Sequence, residues 1–385
     1  MANNLSLDCQ KALKMLAHAR NVLISGPPGT GKSRLLSEVA IAFAAGLAPA
    51  PAGGPPVHQP TGAVPIPPAA GPQDPSLAQS FPSPTKSNRE VFRTVFHQNS
   101  KHRDFLSGIA PVIVKVVEGA DFRIVQGTLY RASEHAKTAD GTALLIIDEI
   151  NRGPAVQVFG GAIVAIEADK RLAPDGGVRG ETQFFELMDP TTGDIVEYAL
   201  PHDLYILAAM NQADASVEPL DVAFLRRWEP LQLQPSLAVL RAFYGLADNN
   251  DPLPAGATEP KHIFEASVRA WNAVNEQISL GRGQEFQVGH GVLMSDVNPS
   301  SMNLDESKAF VCLGWAKVRA HVEEVFFGDV RGVAATLNAL EGPTYNPFTL
   351  IETTFADDLR FKLDGPSALS ESDVYAAMRA IAEPR

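Results

Sequence analysis

Cysteine is almost absent. The two residues in 385, Cys9 and Cys312, are too few and too far apart for a disulfide framework or a cysteine metal site. A reducing cytoplasm is the expected home. Basic charge is also in deficit, with 32 Lys and Arg against 44 Asp and Glu for a net charge of −12. That balance argues against a standing basic surface of the kind that grips DNA without sequence preference. Any DNA contact is therefore expected only through an assembled ring or a partner. No apolar run reaches the ~20 residues that span a bilayer, and the N-terminus lacks a basic-then-apolar secretory signal. No membrane association is expected. What is present, 45% hydrophobic residues, suffices for a full core and two domains.

Apolar periodicity sets out the elements in order. LDCQKALKMLAHA reads as an amphipathic helix over 7–18, and a strand follows at 21–25. After a glycine-rich turn a second helix runs from Lys32 to about Ala45. Across 48–89 lie twelve of the thirty prolines, among Ala, Gly and Ser. Such a stretch buries too little apolar surface to offset its ordering entropy, so it is read as a mobile, disordered insertion. EVFRTVFHQ (90–98) alternates as a strand, RDFLSGIAPVI looks helical, and another helix fits 128–136. FFELMDPTTGDIVEYAL (184–200) reads as a β-hairpin around a Pro/Gly turn. LYILAAMN (204–211) is a buried strand. From about Pro235 the pattern turns helical, as in HIFEASVRAWNAVNEQI and ESKAFVCLGWAKVRAHVEEVFF. The expected fold is α/β, a parallel sheet with helices on both faces over 1–235, plus an α-helical lid-like domain over 236–385.

One strand ends abnormally. The apolar run LLII, rich in β-branched residues, reads as a strand covered on both faces, and it stops in Asp148, Glu149, Asn151 and Arg152. Surface acids in a turn would look the same in isolation. The segment Gly26-Pro27-Pro28-Gly29-Thr30-Gly31-Lys32-Ser33 resolves the ambiguity. It matches G-x-x-x-x-G-K-[ST] in full, between a predicted strand and a predicted helix that opens at Lys32-Ser33-Arg34. Its glycines let successive N–H groups face phosphates. Lys32 is expected to reach the β- and γ-phosphates, and the Ser33 hydroxyl to join a Mg2+ shell. Such a site needs a carboxylate at a neighbouring strand end to hold Mg2+, which suits Asp148. Glu149 can then act as general base on the attacking water. Asn211, at a third strand end, can sense the γ-phosphate and orient that water, with Asp214 bracing its loop. The pair Arg226 and Arg227 offers an arginine to a neighbouring subunit's γ-phosphate.

With these motifs in order, the sequence resembles the AAA+ ATPases, and within them the McrB type, the NTP-driven motor of modification-dependent restriction systems. The likeness rests on GPPGTGKS, VFHQNSKHRDFLSGIAPVI, LLIIDEINRG with VFGGAIVAIEADKR, LYILAAMNQADASVEPLDVAFLRRW, and FQVGHGVLM. It implies that Lys32 and Ser33 are the Walker A residues, Asp148 and Glu149 Walker B, Asn211 sensor 1, and Arg226 or Arg227 the arginine finger. It places Asn151 and Arg152 at a subunit contact beside the nucleotide, and His290 in a block reaching back from the lid. The chain departs from the family pattern at Gly161, where an acid is common, and at Ala209, where Thr is common. It also begins at the helix before the phosphate loop, so a separate DNA-reading module is expected to be missing.

The resemblance implies a ring, hexameric in the family, that hydrolyses ATP or GTP with Mg2+ and drives an effector such as a McrC-like nuclease in anti-phage defence. Two alternatives stay open. A MoxR-like chaperone would remodel protein complexes, and a nucleotide-gated scaffold would assemble with little turnover.

Overall fold

In the computed structural model the described residues are 5–46, 80–112, 121–213, 220–247 and 251–383. The chain divides into two compact units, 1–25 with 32–232, and 26–31 with 233–385.

In the first unit, α1 (Leu7–Ala19) leads into β1 (Asn21–Gly26), and α2 (Lys32–Ala45) precedes β2 (Asn88–Val95). The short α3 (His102–Phe105) leads to β3 (Ser107–Val112), its antiparallel partner β4 (Asp121–Gln126), α4 (Thr128–Lys137) and β5 (Gly141–Asp148). Then come α5 (Ala155–Phe159), α6 (Ala162–Ala165), the hairpin β6 (Phe185–Met188) and β7 (Ile195–Tyr198), β8 (Leu204–Asn211), α7 (Val222–Leu225) and β9 (Glu229–Gln232).

The sheet has the order β2-β5-β8-β1-β9, and β2 with β5, β5 with β8 and β1 with β9 run parallel. Burial follows sequence. The unbroken apolar run of β5 is buried from Gly141 to Ile147 and opens only at Asp148, whereas edge strand β2 alternates between exposed and half-buried positions. A parallel sheet needs cover on both faces. One source of cover is the cluster of Phe96, Phe105, Phe159, Phe224 and Trp228.

Two expectations are corrected. RDFLSGIAPVI is not a helix: after one helical turn the chain becomes β3, because β4 supplies a ladder pairing Ile109 with Ile124. A short apolar run carries no signal for so distant a partner. The insertion expected across 48–89 is folded at its end, while 47–79 lie outside the described residues. Phe81 is buried, the Arg89 guanidinium lies 4.9 Å from its ring centre and 5.0 Å from that of Phe43, and Asn88 and Arg89 already belong to β2.

The second unit comprises α8 (Leu237–Tyr244), α9 (Pro260–Gly281), α10 (Leu304–Val325), α11 (Val330–Thr336), the hairpin β10 (Thr349–Phe355) and β11 (Asp358–Asp364), and α12 (Val374–Ala382). Trp271, Trp315, Tyr244, Phe264 and Met378 fill its core. Asn303 and Glu306 form a reciprocal cap at the start of α10, which satisfies N–H groups the first turn would otherwise leave bare. The hairpin sits within an otherwise helical region. Among the described residues no helix is long and apolar enough to cross a membrane.

Candidate functional site

In the first unit the polar ends of β5 and β8 meet. Asp148 closes β5, and Glu149 follows in the left-handed conformation with φ 52° and ψ 45°. A side-chain-bearing residue adopts that geometry at a cost of ~1–2 kcal/mol, and such strain concentrates at functional sites. The Glu149 N–H donates to Asp148 Oδ1 at 3.0 Å. Asn211, the last residue of β8, donates through Nδ2 to Glu149 Oε1 at 3.0 Å, and Asn151 Nδ2 donates to the Asn211 carbonyl at 2.9 Å. Arg152 Nε lies 3.1 Å from Glu149 Oε2. Both oxygens of Glu149 are therefore engaged, one by an amide and one by a guanidinium.

Lys32 opens α2 and is only 9% exposed. Burial pushes its ammonium down to about 8, while the negative charges of Glu149 and Asp148 oppose the shift. An ammonium shifted by burial beside two carboxylates marks a functional-site candidate. Ser33 and Arg34 follow it in the first turn of α2 and are exposed.

The two arginines of FLRRW part company. Arg227 folds back, with Nε 3.0 Å from Glu167 Oε1 and a guanidinium nitrogen donating to the Ala223 carbonyl. Arg226 remains exposed. Glu167 lies in the EADKR block, and no phosphate or metal role marks it in the sequence. The Gly161 departure also has a local cause, since a Cβ there would stand 2.9 Å from Phe185 Cβ. Ala209 is buried within β8. Asp214 lies outside the described residues.

In the second unit, residues 26–31 form the loop that precedes Lys32. Gly29 and Gly31 have φ of 77° and 89°, values that favour glycine. The Thr30 hydroxyl donates to the Pro27 carbonyl at 2.9 Å. His290 accepts the Ser236 N–H on Nδ1 at 3.1 Å. That bond puts the ring proton of neutral His290 on Nε2 and makes this histidine a backbone anchor.

Comparison with known proteins agrees with this geometry. A family described as "AAA domain (dynein-related subfamily)" matches residues 76–228. The type IV methyl-directed restriction enzyme EcoKMcrB subunit of Escherichia coli (strain K12) is 25% identical over 327 residues, 82% of this chain and 56% of that protein. The type II restriction enzyme BsuMI component YdiS of Bacillus subtilis (strain 168) is 32% identical over 153 residues, 35% of this chain and 38% of that protein. The chain thus spans about half or less of the length of these relatives. A solved structure of C. elegans PCH-2 aligns with 81% of this chain and 67% of that chain at 13% identity and a TM-score of 0.30; so low a score carries no argument. The family match at 76–228 takes in the strand ends of β5 and β8, and together with these relatives it supports an AAA+ ATPase that resembles the McrB type.

Proposed function

We propose that the protein hydrolyses ATP or GTP and uses the energy to drive an effector, as a ring-forming motor. The observation that carries this reading is the acid–amide pair of Glu149 and Asn211, 3.0 Å apart, next to a Lys32 ammonium buried near Asp148 and Glu149. In this scheme the loop 26–31 and the Lys32 that follows it in the chain hold the β- and γ-phosphates. Glu149 accepts the proton of the attacking water, the water oxygen bonds to the γ-phosphorus, and the bond to the bridging oxygen breaks to leave a diphosphate and phosphate. Asn211 orients the water through its amide.

Asp148 and Ser33 offer a carboxylate and a hydroxyl, hard oxygen donors that suit Mg2+, an ion that takes few protein ligands and keeps its remaining contacts with water and phosphate. Bound there, Mg2+ would neutralise charge on the phosphates. Asn211 Nδ2 and Arg152 Nε both reach Glu149, one on each carboxylate oxygen, and so hold this carboxylate in place.

Arg226 is assigned as the finger offered to the neighbouring subunit, because it is exposed while Arg227 is held by Glu167. The ring, hexameric by family analogy, acts in the cytoplasm with a nuclease-like partner, and DNA reaches it through the ring or that partner. The restriction context rests on the kinship above, a weaker support than the site itself. Phosphate release from ATP and from GTP, with Mg2+ and with or without a candidate nuclease, tests the reading. Glu149→Gln should keep nucleotide binding and assembly and lose turnover; turnover that survives this change contradicts it.

A further inference from the structure

The phosphate loop is held from behind. In the second unit the N–H of Gly289 donates to the Pro28 carbonyl and that of Gly291 to the Gly29 carbonyl, both at 2.9 Å. In a trans peptide the carbonyl and the following N–H point in opposite directions, and the chain has no cis peptide among the described residues. Two consecutive carbonyls drawn to one side therefore send the N–H groups of Gly29 and Thr30 together to the other. An extended chain would alternate them. Consecutive N–H groups on one side make an anion-binding nest, and the left-handed φ of 77° at Gly29 is what permits it.

The turn that does the holding is itself fixed at three points. The buried Asn275 accepts the Val288 N–H at 2.7 Å, and Asn275 Nδ2 and Trp271 Nε1 both donate to the Val288 carbonyl at 3.0 Å. The Tyr244 hydroxyl donates to the Leu293 carbonyl at 2.7 Å, and His290 takes the Ser236 N–H. Close approach is also enforced. A Cβ on Gly289 would stand 2.1 Å from the Gly29 carbonyl carbon, and one on Gly291 would stand 2.8 Å from the Gly29 oxygen.

We propose that Gly289 and Gly291 are positioning residues for the phosphate loop: they pin the Pro28 and Gly29 peptides so that the Gly29 and Thr30 N–H groups form a preset two-donor nest for the phosphates of a nucleoside triphosphate. This rests on the reading of 26–33 as a phosphate site. Because the turn is anchored in the helical unit, occupancy of the nest and order in the turn are linked.

The test uses the full chain. Gly289→Ala and the milder Gly291→Ala are compared with wild type, with Gly256→Ala, a position where a Cβ meets open space, and with Lys32→Ala. Readouts are the affinity for a fluorescent ATP or GTP analogue, steady-state KM and kcat, and the nucleotide-free Tm. Loss of ground-state positioning should raise Kd and KM by about tenfold or more with kcat at saturation held within about threefold. Gly256→Ala should match wild type, and nucleotide should slow amide exchange at 289–291 in the wild type.

Glycine variants that fold and keep Kd within about twofold of wild type, a shift too small to correspond to a lost charge-assisted bond, overturn the proposal. So does exchange at 289–291 that ignores nucleotide, a readout available even where a variant fails to fold. If Lys32→Ala loses affinity while the glycine variants keep it, pinning alone fails. If Lys32→Ala binds as wild type does, the phosphate-site reading beneath it fails.

Discussion

Removing the amide of Asn211 isolates one step of the proposed chemistry. Asn211→Ala deletes the 3.0 Å bond to Glu149 Oε1 and leaves that carboxylate with Arg152 on its other oxygen. Asn211 is half-buried at the end of β8, and its carbonyl still accepts from Asn151, so the strand end keeps its tie. A hydrogen bond to a charged group is worth about 1.5–3 kcal/mol. If the amide serves the water and the γ-phosphate in the transition state, the same energy is lost there, and kcat falls about 10- to 150-fold. Affinity should change by less than about threefold, since the lost interaction belongs to the transition state and not to ground-state binding. Single-turnover phosphate release, with binding of a fluorescent nucleotide measured in parallel, separates the two. An unchanged kcat, or a loss confined to affinity, would refute the assignment.

Three other outcomes are expected. Arg226→Ala should leave nucleotide affinity intact and abolish turnover in the assembled state, whereas Arg227→Ala should lower stability by about 1–3 kcal/mol in denaturant titration as the part-buried pair with Glu167 is broken. Arg171 is fully buried and donates to the carbonyls of Ile166 and Leu204 and to Asn21 Oδ1. Arg171→Met orphans the Leu204 carbonyl and Asn21 Oδ1, while the Ile166 carbonyl keeps Asn21 Nδ2, and should cost about 2 kcal/mol at roughly 1 kcal/mol each, read as a lower urea midpoint. Deleting 49–84 removes the buried Phe81 and should cost about 3–5 kcal/mol more than deleting 49–78, by thermal unfolding of the two variants side by side.

The parallel sheet is legible in the sequence because strands covered on both faces must be apolar throughout, and 144–147 and 204–209 are. Their polar ends are legible for the same reason, since Asp148 and Asn211 interrupt runs that nothing else would interrupt. The hairpin of β3 and β4 is not legible, as its first strand depends on a partner more than ten residues away. The β10 and β11 hairpin hides in a region dominated by helical periodicity, although its strands alternate and its turn holds Ala356 and Asp357 at φ of 49° and 67°. Asp tolerates the left-handed region but Ala does not favour it, and with no Gly or Asn at either position the turn carries only a weak mark. Choosing between Arg226 and Arg227 needs Glu167, about sixty residues earlier in the chain, which only tertiary structure brings near.

The claim on which the account stands is that Lys32 grips a triphosphate that is cut beside Glu149. Calorimetric titration of ATP and GTP into the purified protein with Mg2+, wild type against Lys32→Ala, addresses it directly. A saturable heat for at least one nucleotide that collapses in the variant is predicted. Equal binding by both proteins, or none by the wild type, would contradict it.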